Sequence, residues 1–69
     1  MNYITIELQT NNGQTANIVT AYNNLPQAQS KYFTILAAAA LSNVQQHAAV
    51  ILDETGMIMA QQCFTHEVQ

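Results

Sequence analysis

The chain of 69 residues carries four acidic side chains and a single basic one, Lys31, so only 7% of it is charged, against about 25% in an average domain. One cation and no arginine give no electrostatic footprint for phosphates, which argues against direct nucleic-acid binding and against a polybasic membrane anchor. The longest apolar stretch, Tyr32 to Leu41, is about half of what would span a bilayer, and Thr34 interrupts it, so no membrane partner is expected.

The N-terminus has neither a basic region nor a small-residue cleavage site, so no signal peptide is expected. The lone Cys63 makes no internal disulfide and fits a cytoplasmic setting. A chain of this length allows one domain, residues 1–69, with one core. Without a disulfide or an obvious metal site, self-association is the remaining source of stability.

Soon after Met1 the chain alternates, with Ile4, Ile6 and Leu8 set against Tyr3, Thr5 and Glu7, the pattern of a half-buried strand. Thr10-Asn11-Asn12-Gly13 follows, and glycine in the fourth place suits a three-residue loop closed by a left-handed residue. That loop sets Leu8 opposite Ala16 and Ile6 opposite Ile18, whereas a tighter Asn12-Gly13 turn sets Leu8 opposite Asn17. The first register keeps one face apolar and is preferred on that ground. The second strand then runs from about Thr15 to Tyr22.

Asn24 is a good helix N-cap, Gln27 sits three residues on as in a capping box, and Pro26 falls in the tolerant first turn. From Gln27 to Ser42 there is no glycine or proline, and Ala37 to Ala40 is a strong helix-forming run. Ala28, Tyr32, Ile35, Leu36 and Ala39 share one face at helical spacing. Asn43 suits a C-terminal stop.

His47 to Leu52 is apolar on both sides, which suggests a central strand. Asp53-Glu54-Thr55-Gly56 repeats the logic of the first turn, and Met57 to Phe64 forms the last strand, pairing Leu52 with Ile58, Val50 with Ala60 and Ala48 with Gln62. The expected fold class is α+β: ββαββ, a four-stranded antiparallel sheet with one helix packed on one face.

These registers put Ile4, Ile6, Leu8, Ile18, Val50 and Leu52 beneath the helix. The opposite face carries Tyr3, Val19, Ala21, Ala49, Ile51, Met57 and Met59, among Thr5, Glu7, Asn17 and Gln61. One helix cannot cover both faces, and monomers seldom expose large apolar patches. The plainer alternative is a mixed, solvated face. The sharper expectation is a homo-oligomer, most simply a two-fold dimer, with Tyr3, Val19, Ala49, Ile51, Met57 and Met59 at its interface.

His47 and Cys63 fall opposite each other in the preferred register, and Cys63-Phe64-Thr65-His66 has a ligand-like spacing with Glu67 beyond it. Two residues at such a spacing are half a site, and along a strand Cys63 and His66 point to opposite faces. His47, Cys63 and His66 are therefore weak metal candidates, and neither metal nor cofactor is expected.

A Cys63–His47 nucleophile pair needs a third group to orient the histidine and donors for an oxyanion. No carboxylate has an evident place beside His47, so no enzyme is expected. Asp53 and Glu54 serve turn geometry. Tyr3, Tyr22, Tyr32 and Phe33 lack the basic neighbours that base stacking uses.

The stretch Lys31-Tyr32-Phe33-Thr34-Ile35-Leu36-Ala37-Ala38-Ala39-Ala40-Leu41-Ser42, followed by His47-Ala48-Ala49-Val50, Gly56, Phe64 and His66, resembles a family of small proteins of Gram-positive bacteria and their phages and prophages. The family pattern is K-Y-x-x-I-L-A-A-A-A-x-S, then H-[SA]-A-V, and no biochemical activity is assigned to it. The resemblance covers most of the chain and implies a mobile-element origin and a cytoplasmic setting. It singles out Lys31, Tyr32 and His47.

The sequence thus points to a non-catalytic interaction module that self-associates through the uncovered sheet face, with a host or phage protein as a further partner. The alternatives are a regulatory factor that reaches nucleic acid through a protein partner, and a His/Cys metal or thiol site.

Overall fold

The computed structural model describes residues 1–67. Its elements run β1 (Tyr3–Asn11), β2 (Gln14–Tyr22), α1 (Leu25–Leu41), β3 (Gln46–Asp53) and β4 (Ile58–Thr65). The four strands form one antiparallel sheet in the order β2-β1-β3-β4, so the expected ββαββ architecture is present, with the helix against one face.

Asn24 caps α1, accepting the Gln27 amide proton on Oδ1 at 2.9 Å, while its Nδ2 donates to Gln27 Oε1 at 3.0 Å. Ala28, Tyr32, Ile35 and Ala39 are buried and Leu36 packs beside them, the face that the helical spacing indicates. The helix ends at Leu41 with Ser42 as its C-cap, one residue before the expected stop at Asn43.

The first hairpin departs from expectation. Asn12 (φ 53°) and Gly13 (φ 78°) both adopt left-handed backbone, which makes a two-residue type I′ turn and pairs Asn11 with Gln14, Leu8 with Asn17 and Ile6 with Val19. Its twist matches that of the flanking strands, and this outweighs the neater apolar matching of the three-residue loop.

The one-residue change in register decides which face the helix covers. β2 and β3 are parallel to each other, since each pairs antiparallel with β1 between them, and α1 makes the crossover. Such crossovers are right-handed almost without exception. With Asn11 and Gln14 as the hydrogen-bonded pair beside the turn, the chirality of the strand makes a right-handed crossover place the helix over the odd-numbered residues of β1. Shifting the hairpin by one residue would select the even-numbered ones.

Thr5, His47, Ala49 and Ile51 are accordingly buried beneath the helix, with Tyr3, Tyr22 and Ala60 packed around them. The expected core of Ile4, Ile6, Leu8, Val50 and Leu52 lies on the other side. The helix-side bed is shallow where it meets the helix: Ala28, Ala39 and Ala49 are wholly buried, and the Thr5 hydroxyl donates to the Ala28 carbonyl at 2.9 Å.

The second hairpin keeps the expected start, Leu52 opposite Ile58, with Gly56 at φ 87°. Asp53 Oδ1 accepts from the Thr55 amide, the Thr55 hydroxyl and the Met57 amide, as turn chemistry requires. A bulge between Ile51 and Leu52 then shifts the pairing, so Ile51 faces Ala60, Val50 faces Gln61 and Ala48 faces Cys63. Ile51 sits in the middle of the core at 2% exposure. Replacing it with alanine is expected to cost about 2–5 kcal/mol of unfolding free energy, read from urea denaturation followed by circular dichroism.

Candidate functional site

Two regions concentrate the chemistry of this chain. One is a buried polar network at the C-terminal end of the helix. The other is the open face of the sheet.

Glu7 lies opposite Ala49 and His47 opposite Gln9, so the two are diagonal neighbours on the helix side. His47 Nε2 donates to Glu7 Oε2 at 2.6 Å, and Ser42 Oγ stands 3.0 Å from His47 Nδ1. With the ring proton on Nε2, Nδ1 accepts from the serine hydroxyl. Gln9 Nε2 also donates to Glu7 Oε2, at 3.0 Å.

The hydrogen bond from His47 holds the Glu7 carboxyl below its usual value of 4.5; burial opposes this, and Gln9 with the charges of His47 and Lys31 adds to it. Reading the sequence missed this pair, because the neighbour of β1 beyond β2 is a matter of strand order. The usable signal was an acidic residue inside an alternating strand, joined to the centrality of β3.

Serine, histidine and carboxylate in series are the groups of nucleophilic catalysis, but the setting here suits a clamp. Ser42 sits at the negative end of the helix, where its Oγ faces the Ala39 carbonyl at 3.3 Å, a poor environment for a developing oxyanion. The same carbonyl accepts from His66 Nε2 at 2.8 Å, so His66 serves as a cap for the helix end. The His66 amide donates to the Gln45 carbonyl at 2.8 Å, and Gln45 in turn holds the first hairpin through the Asn12 amide and the Asn11 side chain.

The metal candidates are thereby separated. His47 faces Phe64 across the strands instead of Cys63, Cys63 lies opposite Ala48 on the other face, and His66 is bound to the helix terminus. Among the described residues no group of three or more His, Cys, Asp or Glu side chains is placed to hold a metal ion.

Of the expected interface residues, Ala49 (0% exposed) and Ile51 (2%) are core, and Tyr3 packs against that core. The right-handed crossover from the two-residue turn puts them there. Val19, Met57 and Met59 are exposed, Val19 on the open face and Met59 at the bulge.

The open face is instead centred on Ile4, Ile6 and Leu8 of β1 and on Ala48, Val50 and Leu52 of β3, paired across the two middle strands. Val19 and Ala21 extend it over β2, and Ile58, Gln61 and Cys63 extend it over β4. Among the described residues no charged side chain falls on it. A shallow depression of about 400 Å³ opens there between Leu8, Ala48, Val50, Gln61, Gln62 and Cys63.

No family model, curated protein or solved structure matches this chain. The resemblance to phage-borne proteins therefore rests on the sequence motifs alone. Among the described residues, no helix is long and apolar enough to cross a membrane.

The Glu7–His47 contact carries a pH dependence. A carboxyl held below its usual value in the folded state stabilises the fold above about pH 4.5, and that contribution is lost as pH falls through the lowered value. Thermal midpoints measured from pH 7 to pH 3 are expected to fall at the acid end. Glu7→Gln should flatten that decline, and should leave the part owed to Asp53, whose carboxyl is also held low, first by the Thr55 hydroxyl.

Proposed function

We propose that this chain is a non-catalytic interaction module whose working surface is the open face of the sheet, and that a second copy occupies that face in a two-fold dimer. The observation that carries the reading is the inversion of the sheet. The helix lies over threonine, alanine, a Glu7–His47 pair and a single large aliphatic side chain of β1 and β3, Ile51, while Ile4, Ile6, Leu8, Val50 and Leu52 face away from it. An apolar and uncharged surface of this kind on a small protein marks a contact site.

Its size suits the role. Four strands at a spacing of ~4.8 Å and 8 residues at ~3.3 Å make a face of about 500 Å², so two copies bury about 1,000 Å² in projection, the lower bound for a specific interface. Two such sheets stack at ~10 Å with their inner side chains interdigitated. Exposed Met57 and Met59 give the rim adaptable side chains.

A single cation, Lys31, leaves nothing to draw a phosphate backbone to this surface. The motif resemblance adds a phage or prophage origin, and with it a host or phage protein as a competing occupant. Light scattering across a wide concentration range tests the pairing. Val50→Glu places like charges across the two-fold and should halve the mass of the assembly while leaving the helical circular dichroism intact. A wild-type chain that stays at 7.6 kDa throughout removes self-association and leaves the face to another protein.

A further inference from the structure

A sheet in the order β2-β1-β3-β4 ends in two edge strands, and they differ. β4 is broken near its start by the bulge beside Leu52, the kind of device that keeps an edge from pairing with another chain. β2 has none of these protections. Over nine residues, Gln14–Tyr22, it contains no charge, no proline, no glycine and no bulge.

Residues paired across antiparallel strands alternate in the direction of their backbone groups. Gln14 closes the turn against Asn11, so the even-numbered residues of β2 bond to β1, and Thr15, Asn17, Val19 and Ala21 turn their N–H and C=O groups outward. In the middle of this edge stand two exposed β-branched side chains, Ile18 (54%) on the helix side and Val19 (58%) on the open face.

We propose that β2 pairs with β2 of a second copy about a two-fold axis through Ile18, joining the two sheets into one of eight strands. The strand is self-complementary about that residue. Ile18 lies at the midpoint of Gln14–Tyr22, so an axis there overlaps all nine residues and sets Asn17 against Val19 and Thr15 against Ala21. Those four are the residues with outward backbone groups, so every one finds its match, for about eight hydrogen bonds in all. No like charges meet. Ile18, which the helix does not cover, gains the Ile18 of the other copy, and both helices stay on the same side of the joined sheet. The pairing uses the edge and not the open face, so it does not depend on face-to-face association.

The experiment is disulfide trapping in the full chain with Cys63→Ser. Ile18→Cys puts two thiols at a non-hydrogen-bonded cross-strand pair with Cα atoms ~4.5 Å apart, within reach of a disulfide. Mild oxidation should give a covalent dimer on a non-reducing gel. Thr20→Cys should not cross-link, because its opposite residue is Ala16 and the second Thr20 lies about 13 Å away. Asn17→Pro, which removes one outward donor and no bond to β1, should suppress the Ile18→Cys cross-link while preserving the strand signal. Adding Val50→Glu should leave the cross-link in place, which separates this pairing from the one across the open face. Failure of Ile18→Cys to cross-link, equal cross-linking by Thr20→Cys, or cross-linking at Val19→Cys in its place would overturn the proposal.

Discussion

The structure depends on the length of one turn. Asn12 and Gly13 close the first hairpin with two residues in left-handed backbone, and this fixes the parity of β1 against β2. Parity fixes the side of β1 on which a right-handed crossover must lay the helix. From that choice follows the placement of Thr5, Glu7, Ala49 and Ile51 under α1, and of Ile4, Ile6, Val50 and Leu52 on the side away from it. Chain chirality thus overrides the preference of a lone helix for the more aliphatic face, and leaves most of the sheet's isoleucine, leucine and valine side chains uncovered by the helix.

What the helix does cover is held by polar contacts as much as by apolar ones. Asn24 and Gln27 satisfy its first turn, while Ser42 and His66 converge on the Ala39 carbonyl at its last. Between Ser42 and β1 the imidazole of His47 spans the gap to Glu7, so a carboxylate on the covered face has a partner that offsets its desolvation. Gln45 ties the same end to the hairpin tip. In a chain with few charges, amides, hydroxyls and two histidines take over the task of fastening helix to sheet.

Much of this was legible in the residues, and the failures have one origin. The element order, the Asn24 cap, the buried face of α1 and the Asp53 turn all rest on local rules of spacing and turn chemistry, and the structure agrees with each. The sequence leaves the first hairpin open between two turns, and apolar matching favours the one that the fold does not use. A slip of one residue inverts every side chain, so the apolar-matched register puts Ala49 and Ile51 at the surface and Val50 and Leu52 in the core, the reverse of their places in the fold. The partnership of Glu7 with His47 needs β3 beside β1, which is long-range information. The bulge that moves Cys63 from His47 to Ala48 leaves no mark in composition.

The barren electrostatics of the open face have a consequence for time as well as for affinity. Surfaces that carry complementary charge are steered together, whereas a neutral one associates at about 10⁵–10⁶ M⁻¹ s⁻¹ and owes its persistence to slow release. With a net charge of −3, approaching copies repel weakly at long range, and salt removes that repulsion without weakening an apolar contact of the proposed kind. A complex made through this face, as proposed, would therefore form without hurry, tolerate high ionic strength, and dissolve when something apolar competes for the same surface.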